Sequence, residues 1–437
     1  MNPSVQVSTN QATADSASAQ KFSSRRRIHY RTAAIACVFG LVALTLFLAG
    51  IGNPARSYYD EGYYIPAARA LLAGTPGPNN GSPPLGKLLI AQGIRMLGDN
   101  PLGWRVSGAI FGSLALVAVF LWTFLLTREV GAAAVAACLT LFNNFLFVMS
   151  RIAMLDVFLV CFIFWGLVAY TAALELEINA TKRKILLYCA GTSLGFATAV
   201  KLNGVDALAV LLLVSCALLW LSLRPMAASN ASLLRYAQNL RQVGILHLAF
   251  ALVFAPILSF SITFWPLCRS LHEPFNLRQL TGMVLYLWRF KVTVGVNMVI
   301  ASKWYEWPVH FAPQRALSYL LGNPVVMLGG IAALILSLRR ILKSWTLPEA
   351  LVVLLFAAYW LQWAVTPVKA TFYYYYFPSA MFLGVAIALA LRNLPRTLFG
   401  VRLSLLVLIA AGIVFLWCLP RMAHLQAPWD CMLGCWG

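Results

Sequence analysis

The sequence predicts an all-α polytopic membrane protein with about eleven transmembrane helices in one domain. The first observation is composition: of 437 residues, 61% are hydrophobic and 11% are charged, and the mean hydropathy is +0.78. Soluble globular proteins are far less apolar. The second is a series of apolar runs, each close to the roughly 20 residues that a helix needs to cross a bilayer. The third is that Lys and Arg gather in alternate connections between those runs.

The predicted spans follow a polar tail. Residues 1–32 are rich in Ser, Ala, Thr and Gln, and because such a segment buries little apolar surface, a disordered tail is expected. The first apolar run is too long for the core of a signal peptide, so it is predicted to remain as an anchor. Together the spans form one membrane domain, residues 33–420. They are predicted near residues 33–52, 104–126, 131–149, 152–174, 184–200, 203–223, 244–266, 320–340, 347–366, 374–392 and 401–420.

The distribution of positive charge predicts which loops face the cytoplasm. With the amino-terminal tail inside, the predicted cytoplasmic segments carry most of the cations, whereas short loops on the other side carry single ones. The net charge of +20 therefore reflects membrane topology and does not call for a nucleic-acid partner. The predicted cytoplasmic cations include Arg128, Lys182, Arg183, Arg235, Arg339, Arg340 and Arg392.

Two long loops lie on the predicted external face, residues 53–103 and residues 267–319. Loops above about 15 residues are usually functional. The first contains two apolar stretches, 65–72 and 85–97, which predict short helices lying along the membrane interface, with Lys87 reaching toward head groups. The second is rich in aromatic residues, including Trp304 and Trp307. Such residues are typical of an interfacial belt, and they also suit stacking on a sugar ring.

Cysteine and histidine give no signal for a metal site. The five histidines are scattered, and no Cys/His spacing of a metal site occurs. Residues 421–437 are predicted to form an external C-terminal tail. Its Cys431 and Cys435 suit either a disulfide or two free thiols, and the sequence leaves that open.

An acidic pair, Asp60 and Glu61, follows the first span in a chain with only 13 acidic residues. Such a pair can be a solvated face or a helix cap. Four neighbouring tyrosines and a position at the membrane exit favour another interpretation, in which a carboxylate accepts a proton from an attacking hydroxyl. Carboxylate oxygens also suit Mg²⁺ or Mn²⁺, so a divalent ion held by the pair stays open.

Four cations are predicted on the same external face as the acidic pair. Arg and Lys at span edges often only reach toward head groups. Taken together with two carboxylates, however, they indicate a site for a lipid phosphate. Asp156 and Asp206, each five residues after a cation, are predicted to position these cations. The four cations are Arg105, Arg151, Lys201 and Lys303.

An ordered set of short motifs resembles the protein O-mannosyltransferase family and related lipid-linked glycosyltransferases of the GT-C fold, including the aminoarabinose lipid A transferases. Each motif is weak alone, and the order makes the set specific. The set spans about residues 53–392. It comprises the Asp60-Glu61 pair, SPPLGK (82–87), WRVSGAIFG (104–112), RIAMLDVFL (151–159), VKLNG (200–204), SKWYEWP (302–308), GNPV (322–325) and FYYYYFPS (372–379).

The resemblance implies a bacterial-type enzyme that transfers a sugar, expected to be mannose, from a polyprenyl phosphate carrier with inversion. The acceptor would be a hydroxyl of a protein, lipid or glycan on the external face of the cytoplasmic membrane. Asp60 matches the catalytic acid, Glu61 its partner and Arg105 an arginine near the donor phosphate. Arg151, Lys201 and the SKWYEWP segment match motif positions with less defined roles. The sequence departs from the family pattern at Ser82, where histidine is usual, and at Tyr375, where eukaryotic members often carry histidine.

Two other functions fit parts of the sequence. A transporter or flippase for a lipid-linked or anionic substrate would explain acids such as Asp156 and Asp206 near the membrane. The inverted repeats typical of many transporters are not evident. A non-catalytic subunit that presents an acceptor would explain Ser82. The motifs specify neither the sugar nor the acceptor, because ring recognition depends on the shape of the pocket.

Overall fold

The computed structural model describes residues 30–57, 59–77, 81–223, 230–293, 301–310, 322–367, 371–394, 397–398 and 401–423. In these residues the chain is almost entirely helical, with one short antiparallel hairpin of β1 (Thr397–Leu398) and β2 (Val401–Arg402). Most of the predicted N-terminal tail lies outside the described residues, as do Cys431, Cys435 and most of the predicted C-terminal tail.

Eighteen α-helices follow one another along the described chain. The first nine are α1 (Tyr30–Leu48), α2 (Glu61–Ala73), α3 (Leu85–Leu97), α4 (Pro101–Thr127), α5 (Val130–Phe142), α6 (Phe145–Ser150), α7 (Asp156–Glu175), α8 (Ala180–Val200) and α9 (Val205–Leu221). The others are α10 (Ala231–Val243), α11 (Ile245–Ala249), α12 (Ala255–Ile262), α13 (Phe264–Ser270), α14 (Leu277–Thr293), α15 (Pro324–Lys343), α16 (Leu347–Val365), α17 (Phe377–Leu391) and α18 (Leu403–Met422). Tight 3₁₀ turns include Leu202–Gly204, Trp304–Val309 and Tyr373–Tyr376, and a π-helical turn, Phe250–Phe254, joins α11 to α12.

Nine helical segments of the described chain are long and apolar enough to cross a membrane, which confirms a multi-pass protein. They are α1, α4, α7, α9 with its preceding turn, the continuous run from α11 to α13, α15, α16, α17 with its preceding turn, and α18. The remaining predicted spans are also helical. One is α8, which carries three consecutive cations near its start, at 182–184, and the other is the segment of α5 and α6.

The predicted single span over 131–149 is wrong, because two asparagines divide it into α5 and α6. Asn143 lies at the break, where its side-chain oxygen accepts a hydrogen bond from the backbone N–H of Asn323 at 3.2 Å. Its side-chain amide donates to the backbone oxygen of Ala380 at 3.5 Å. These distant contacts hold Asn143 in an extended conformation, so the helix ends there.

Burial separates the central helices from those facing lipid. Within their most apolar stretches, α7 and α17 have 83% and 89% of residues buried by the protein itself, whereas α18 has 11%. A helix that is apolar all round and buried belongs to the core of the bundle. The central helices α7 and α17 therefore form a fixed frame, and both begin at the same end of the bundle as the candidate site described below.

The first long loop contains the two predicted short helices, α2 and α3. Helix α3 packs closely on α4 at Gly93, where a Cβ atom would lie 2.4 Å from the backbone oxygen of Gly103. A larger residue would push the helices apart, so glycine permits this close approach. The second loop is helical over α14 and has a 3₁₀ turn at Trp304–Val309. Residues 294–300 and 311–321 lie outside the described residues.

Candidate active site

A polar cavity of about 130 Å³ lies where α2 and α7 begin and α16 ends. The 3₁₀ turns before α9 and α17 complete its walls. Three of its side chains are charged, which is costly near a membrane unless the charges are paired. Its lining includes Asp60, Asp156, Lys201, Trp363, Tyr374 and Tyr375.

Asp60 is the predicted catalytic acid, and it lies in this cavity. Its Oδ2 accepts a hydrogen bond from the Tyr374 hydroxyl at 2.8 Å. Tyr64, one turn into α2, also donates to the Asp60 carboxylate and is hydrogen-bonded to Ser82. Burial raises the pKa of Asp60 above its usual value, and the hydrogen bond from Tyr374 and the charge of Lys201 partly oppose that effect. A carboxylate with a raised pKa holds a proton better and is a stronger general base.

Glu61 faces away from the cavity and has a different role. Its side chain is fully buried, and its two oxygens lie 2.8 and 2.9 Å from Nε and Nη2 of Arg105. Oε1 also accepts a hydrogen bond from the backbone N–H of Ala153 at 2.8 Å. Glu61 is therefore not placed to share a divalent ion with Asp60. It joins α2 to α4 and to the turn before α7.

Arg105 cannot serve as the predicted ligand of the donor phosphate, because its guanidinium is fully buried and engaged. Besides Glu61, it donates to the backbone oxygens of Ile51, Pro54 and Arg56 at 2.9–3.1 Å. Its role is therefore structural, and the predicted contact to phosphate is wrong. Arg105 ties the chain leaving α1 to the start of α2, which fixes the position of the neighbouring Asp60.

Arg151 binds the protein backbone, and the structure does not place it for the predicted contact to phosphate. Its Nη1 donates to the backbone oxygens of Leu46, Phe47 and Ala49, at the end of α1. The side chain is buried, and the guanidinium lies 5.0 Å from the Phe147 ring centroid. Cations at a helix C-terminus satisfy carbonyl groups that lack helical partners. Arg151 thus caps α1.

Lys201 is the one predicted phosphate-binding cation that lines the polar cavity in the described part of the chain. Its Nζ lies 2.7 Å from Asp156 Oδ2, and 5.6 Å from the ring centroids of both Tyr374 and Tyr375. Asp156 is buried and lies at the start of α7, so it fixes the ammonium group in place. Asp156 therefore positions Lys201, and not the sequence neighbour Arg151.

A second cavity of about 270 Å³ adjoins the polar one, because Ser82 lines both. Its walls are mainly apolar residues of α13 and α14, including Phe264, Leu267 and Met283. Lys87 lines it too, buried instead of reaching to head groups, and its Nζ donates to the backbone oxygen of Ser82 at 2.8 Å. Burial lowers the pKa of Lys87 to about 8. A cation thus lies between an apolar and a polar compartment.

Aromatic side chains form one wall of the polar cavity. Tyr375 stacks on Trp363 with ring centroids 4.5 Å apart and an interplanar angle of 16°. The predicted Trp307 is fully buried behind them, 6.1 Å from the Trp363 centroid, and donates from Nε1 to Ser302 Oγ at 2.9 Å. Stacked rings of this kind are rigid. Trp307 therefore supports the wall without reaching the cavity.

Two other predicted residues do not line either of these cavities in the described part of the chain. Lys303 is exposed, with its Nζ 5.7 Å from the Tyr305 ring centroid. Trp304 packs against Trp360, and its backbone oxygen accepts a hydrogen bond from the Trp360 indole at 2.9 Å. Within the SKWYEWP motif, Trp307 therefore supports the wall of the polar cavity, whereas Lys303 and Trp304 contact residues outside it.

Sequence reasoning noted Tyr64 among the four tyrosines around the acidic pair, but it did not single out Tyr374 or Trp363 as site residues. The run of four tyrosines at 373–376 was visible, but which hydroxyl reaches Asp60 depends on the 3₁₀ turn. Trp363 lies in an apolar span and gave no distinguishing signal. Among the described residues, no group of three or more His, Cys, Asp or Glu side chains is placed to hold a metal ion.

The chain is similar to proteins of known classes. Residues 36–272 match the family described as dolichyl-phosphate-mannose-protein mannosyltransferase. A polyprenol-phosphate-mannose–protein mannosyltransferase of Corynebacterium glutamicum is 32% identical over 168 residues, 35% of this chain and 32% of that protein. One from Mycolicibacterium smegmatis is 37% identical over 136 residues, 29% of this chain and 26% of that protein. The matches thus span about a third or less of these relatives.

Two solved structures share the fold. The Saccharomyces cerevisiae protein O-mannosyltransferase Pmt1–Pmt2 complex, bound to the sugar donor, superposes with a TM-score of 0.75 at 12% identity, covering 91% of both chains. ArnT from Cupriavidus metallidurans, bound to undecaprenyl phosphate, gives a TM-score of 0.59 at 15% identity, covering 90% of this chain and 66% of that one. These similarities confirm the predicted GT-C-type helical bundle.

Proposed function

Because the chain belongs to the dolichyl-phosphate-mannose-protein mannosyltransferase family, we propose that it is an inverting glycosyltransferase that uses a polyprenyl phosphate-linked sugar. The expected sugar is mannose, since the relatives above are named for polyprenol-phosphate-mannose. The observation that supports this most is the half-buried Asp60 carboxylate, which lines the same cavity as Lys201, next to the apolar cavity that Lys87 lines. A lipid phosphate and a polar acceptor can then meet at Ser82.

The proposed reaction breaks the bond between the sugar C1 and the phosphate oxygen. An acceptor hydroxyl attacks C1 from the opposite face, its proton passes to Asp60, and the bond electrons leave with the phosphate. The phosphate gains negative charge, which Lys201 in the polar cavity and Lys87 in the adjoining apolar cavity stabilise. Lipid phosphate is already a reasonable leaving group. The protein therefore needs chiefly to align the acceptor and accept one proton.

The proposed acceptor is a Ser or Thr hydroxyl of a protein, with a lipid or glycan hydroxyl as the other option. We place the site on the external face of a bacterial cytoplasmic membrane. The described parts of both long loops lie at the same end of the bundle as the site, and the predicted cytoplasmic cations lie in the opposite set of connections. The transporter alternative rested on Asp156 and Asp206, and it loses the support of Asp156, because that carboxylate pairs with Lys201 at 2.7 Å.

Purified protein in lipid nanodiscs tests this proposal. With polyprenyl phosphate [³H]mannose and Ser/Thr-rich peptides or membrane lipids as acceptors, labelled product is expected, with an inverted anomeric configuration by NMR. Parallel reactions with and without EDTA show whether a divalent ion takes part. Donor movement across vesicles without any labelled product would contradict the proposal and favour the transporter.

Lys87 is expected to govern donor binding. Lys87→Met should raise the donor KM about 10–100-fold, because a charge-assisted contact to phosphate is lost. In the unchanged protein, kcat/KM should fall as the pH rises above about 8, because Lys87 then loses its proton. Steady-state kinetics between pH 6 and about 9.5 measure both effects. Arg95→Met, an exposed cation on the same helix, serves as the control and should leave KM unchanged. Equal effects of the two substitutions would contradict the assignment.

Tyr374 is expected to set the acid limb of the pH profile. Its hydroxyl donates to the Asp60 carboxylate and so lowers the Asp60 pKa. In Tyr374→Phe the pKa of Asp60 should rise. As the pH is lowered, the variant should therefore lose activity at a higher pH than the unchanged protein does. Tyr373→Phe is the matched control, because that hydroxyl contacts the backbone N–H of Gly322 instead. An unshifted acid limb in Tyr374→Phe, measured as kcat/KM against pH, would argue against Asp60 as the base.

A further inference from the structure

A large cavity of about 750 Å³ lies at the opposite end of the bundle from the candidate site. Helix α16 links the two, since its first turn borders this cavity and Trp363, near its other end, borders the site. From Glu349 to Trp363 the helix rises about 20 Å. The cavity therefore faces the membrane leaflet that the charge pattern predicts to be cytoplasmic, well away from the proposed reaction.

The cavity has an apolar wall and a polar mouth. Its wall includes Leu213 and Leu218 of α9 and Leu354 of α16. Leu213 is 59% exposed, so this wall is open toward the lipid chains. The mouth lies near Trp345, which is 58% exposed between α15 and α16, as is typical of an aromatic side chain at the membrane interface. A ligand with apolar chains and a polar head matches this arrangement.

The charged side chains at the mouth favour an anionic head group. Two arginines and one acid line the cavity: Arg340, Arg392 and Glu349. Arg340 pairs with Glu349 through Nη1 at 2.7 Å, and Arg392 pairs through Nε and Nη2 with Glu129 at 3.1–3.2 Å. Within the described residues, Nε and Nη2 of Arg340 and Nη1 of Arg392 have no hydrogen-bond acceptor. The lining therefore carries two arginines and one acid, and each arginine keeps N–H donors that its ion pair does not use.

A further polar group at the mouth also has no partner in the described part of the chain. The hydroxyl of Thr346, the residue before α16, is buried there and makes no hydrogen bond to the helix that follows. Buried hydroxyls are normally hydrogen-bonded, so an acceptor or donor from a bound molecule is expected. Phosphate oxygens would satisfy both this hydroxyl and the free arginine N–H groups.

We propose that this cavity binds an anionic phospholipid of the cytoplasmic leaflet, with its phosphate at Arg340, Arg392 and Thr346 and its acyl chains against α9 and α16. Basic pockets between transmembrane helices on this side of a membrane suit such head groups. The proposal does not depend on the transferase activity. It assigns a lipid to a cavity that the proposed reaction does not use.

Native mass spectrometry of the delipidated full-length protein tests this site, with phosphatidylglycerol and phosphatidylcholine of identical acyl chains as probes. Phosphatidylglycerol should bind about tenfold more tightly than phosphatidylcholine. Arg392→Gln should remove most of that preference. The variant should still fold, because Glu129, which loses its ion-pair partner, is exposed and stays solvated. Arg339→Gln is the matched control, because that arginine is exposed on the same end of α15 and does not line the cavity. It should keep the preference.

Ala217→Phe provides an independent variant, because it fills the apolar wall and leaves every charge in place. It should weaken binding of both probe lipids. Equal binding of the two lipids to the unchanged protein would overturn the proposal, as would equal losses in Arg392→Gln and Arg339→Gln. Displacement of phosphatidylglycerol by polyprenyl phosphate at a lower concentration would also overturn it, since the cavity would then be a carrier site.

Discussion

Replacing Asp60 with Asn is expected to lower the rate of sugar transfer by about 10²–10⁴-fold, because the acceptor proton loses its base. The two side chains have nearly the same shape, and Asn can still accept a hydrogen bond from Tyr374. The fold and the donor KM should therefore change little. Initial rates at several concentrations of labelled donor measure the transfer rate and the donor KM, and a thermal unfolding curve measures the stability of the fold.

Asp99→Asn is the matched control for Asp60. Asp99 lies in the same loop region, but it is about half exposed and pairs with Arg69 at 2.8 Å. Exposed ion pairs contribute at most about 1 kcal/mol, so this variant should transfer sugar at nearly the normal rate. If both variants lose activity to the same extent, the loss reflects the local fold and not base catalysis.

Replacing Arg105 with Met should mainly destabilise the protein. It leaves the fully buried Glu61 carboxylate without its ion-pair partner and the backbone oxygens of Ile51, Pro54 and Arg56 without that donor. Removing one partner of a buried pair typically costs about 3–5 kcal/mol of unfolding free energy. A much lower yield of folded protein and a lower Tm in detergent are expected. Any folded fraction should bind the lipid donor with a normal KM.

A double variant and a surface control define this effect. Glu61→Leu combined with Arg105→Met should recover part of the stability, because neither charge of this buried pair is left without its partner. Arg128→Met should cost less than about 1 kcal/mol, because Arg128 is partly exposed and Glu175 keeps its contact with Arg235. A stable Arg105→Met protein with a greatly raised donor KM would instead restore Arg105 as a phosphate ligand.

The different roles of Asp60 and Glu61 show which features of the site the sequence could predict and which it could not. Composition and periodicity predicted the helical bundle, and the motifs predicted which loops meet at the site. Two adjacent residues at a helix start, however, point about 100° apart, so they face different surroundings. Asp60 precedes α2 and faces Tyr374, whereas Glu61 begins the helix and faces Arg105. No local pattern distinguishes these partners.

The predicted cations show the same limit. Arg105, Arg151 and Lys201 were all expected on the same face as the acidic pair, but their partners come from segments far away in sequence. Arg151 binds backbone oxygens about a hundred residues earlier, at the end of α1. Helix ends need such donors, and which cation supplies them depends on helix packing. Lys201 alone of these three is directed at Asp156 and the tyrosine wall.

The single-turnover rate of sugar transfer, at saturating lipid donor, tests the central claim about Asp60 most directly. It isolates the chemical step from donor binding and product release. In the folded Asp60→Asn protein we expect normal donor affinity and a rate lower by about 10²–10⁴-fold. A rate within about threefold of the unchanged protein would contradict the assignment of Asp60 as the base.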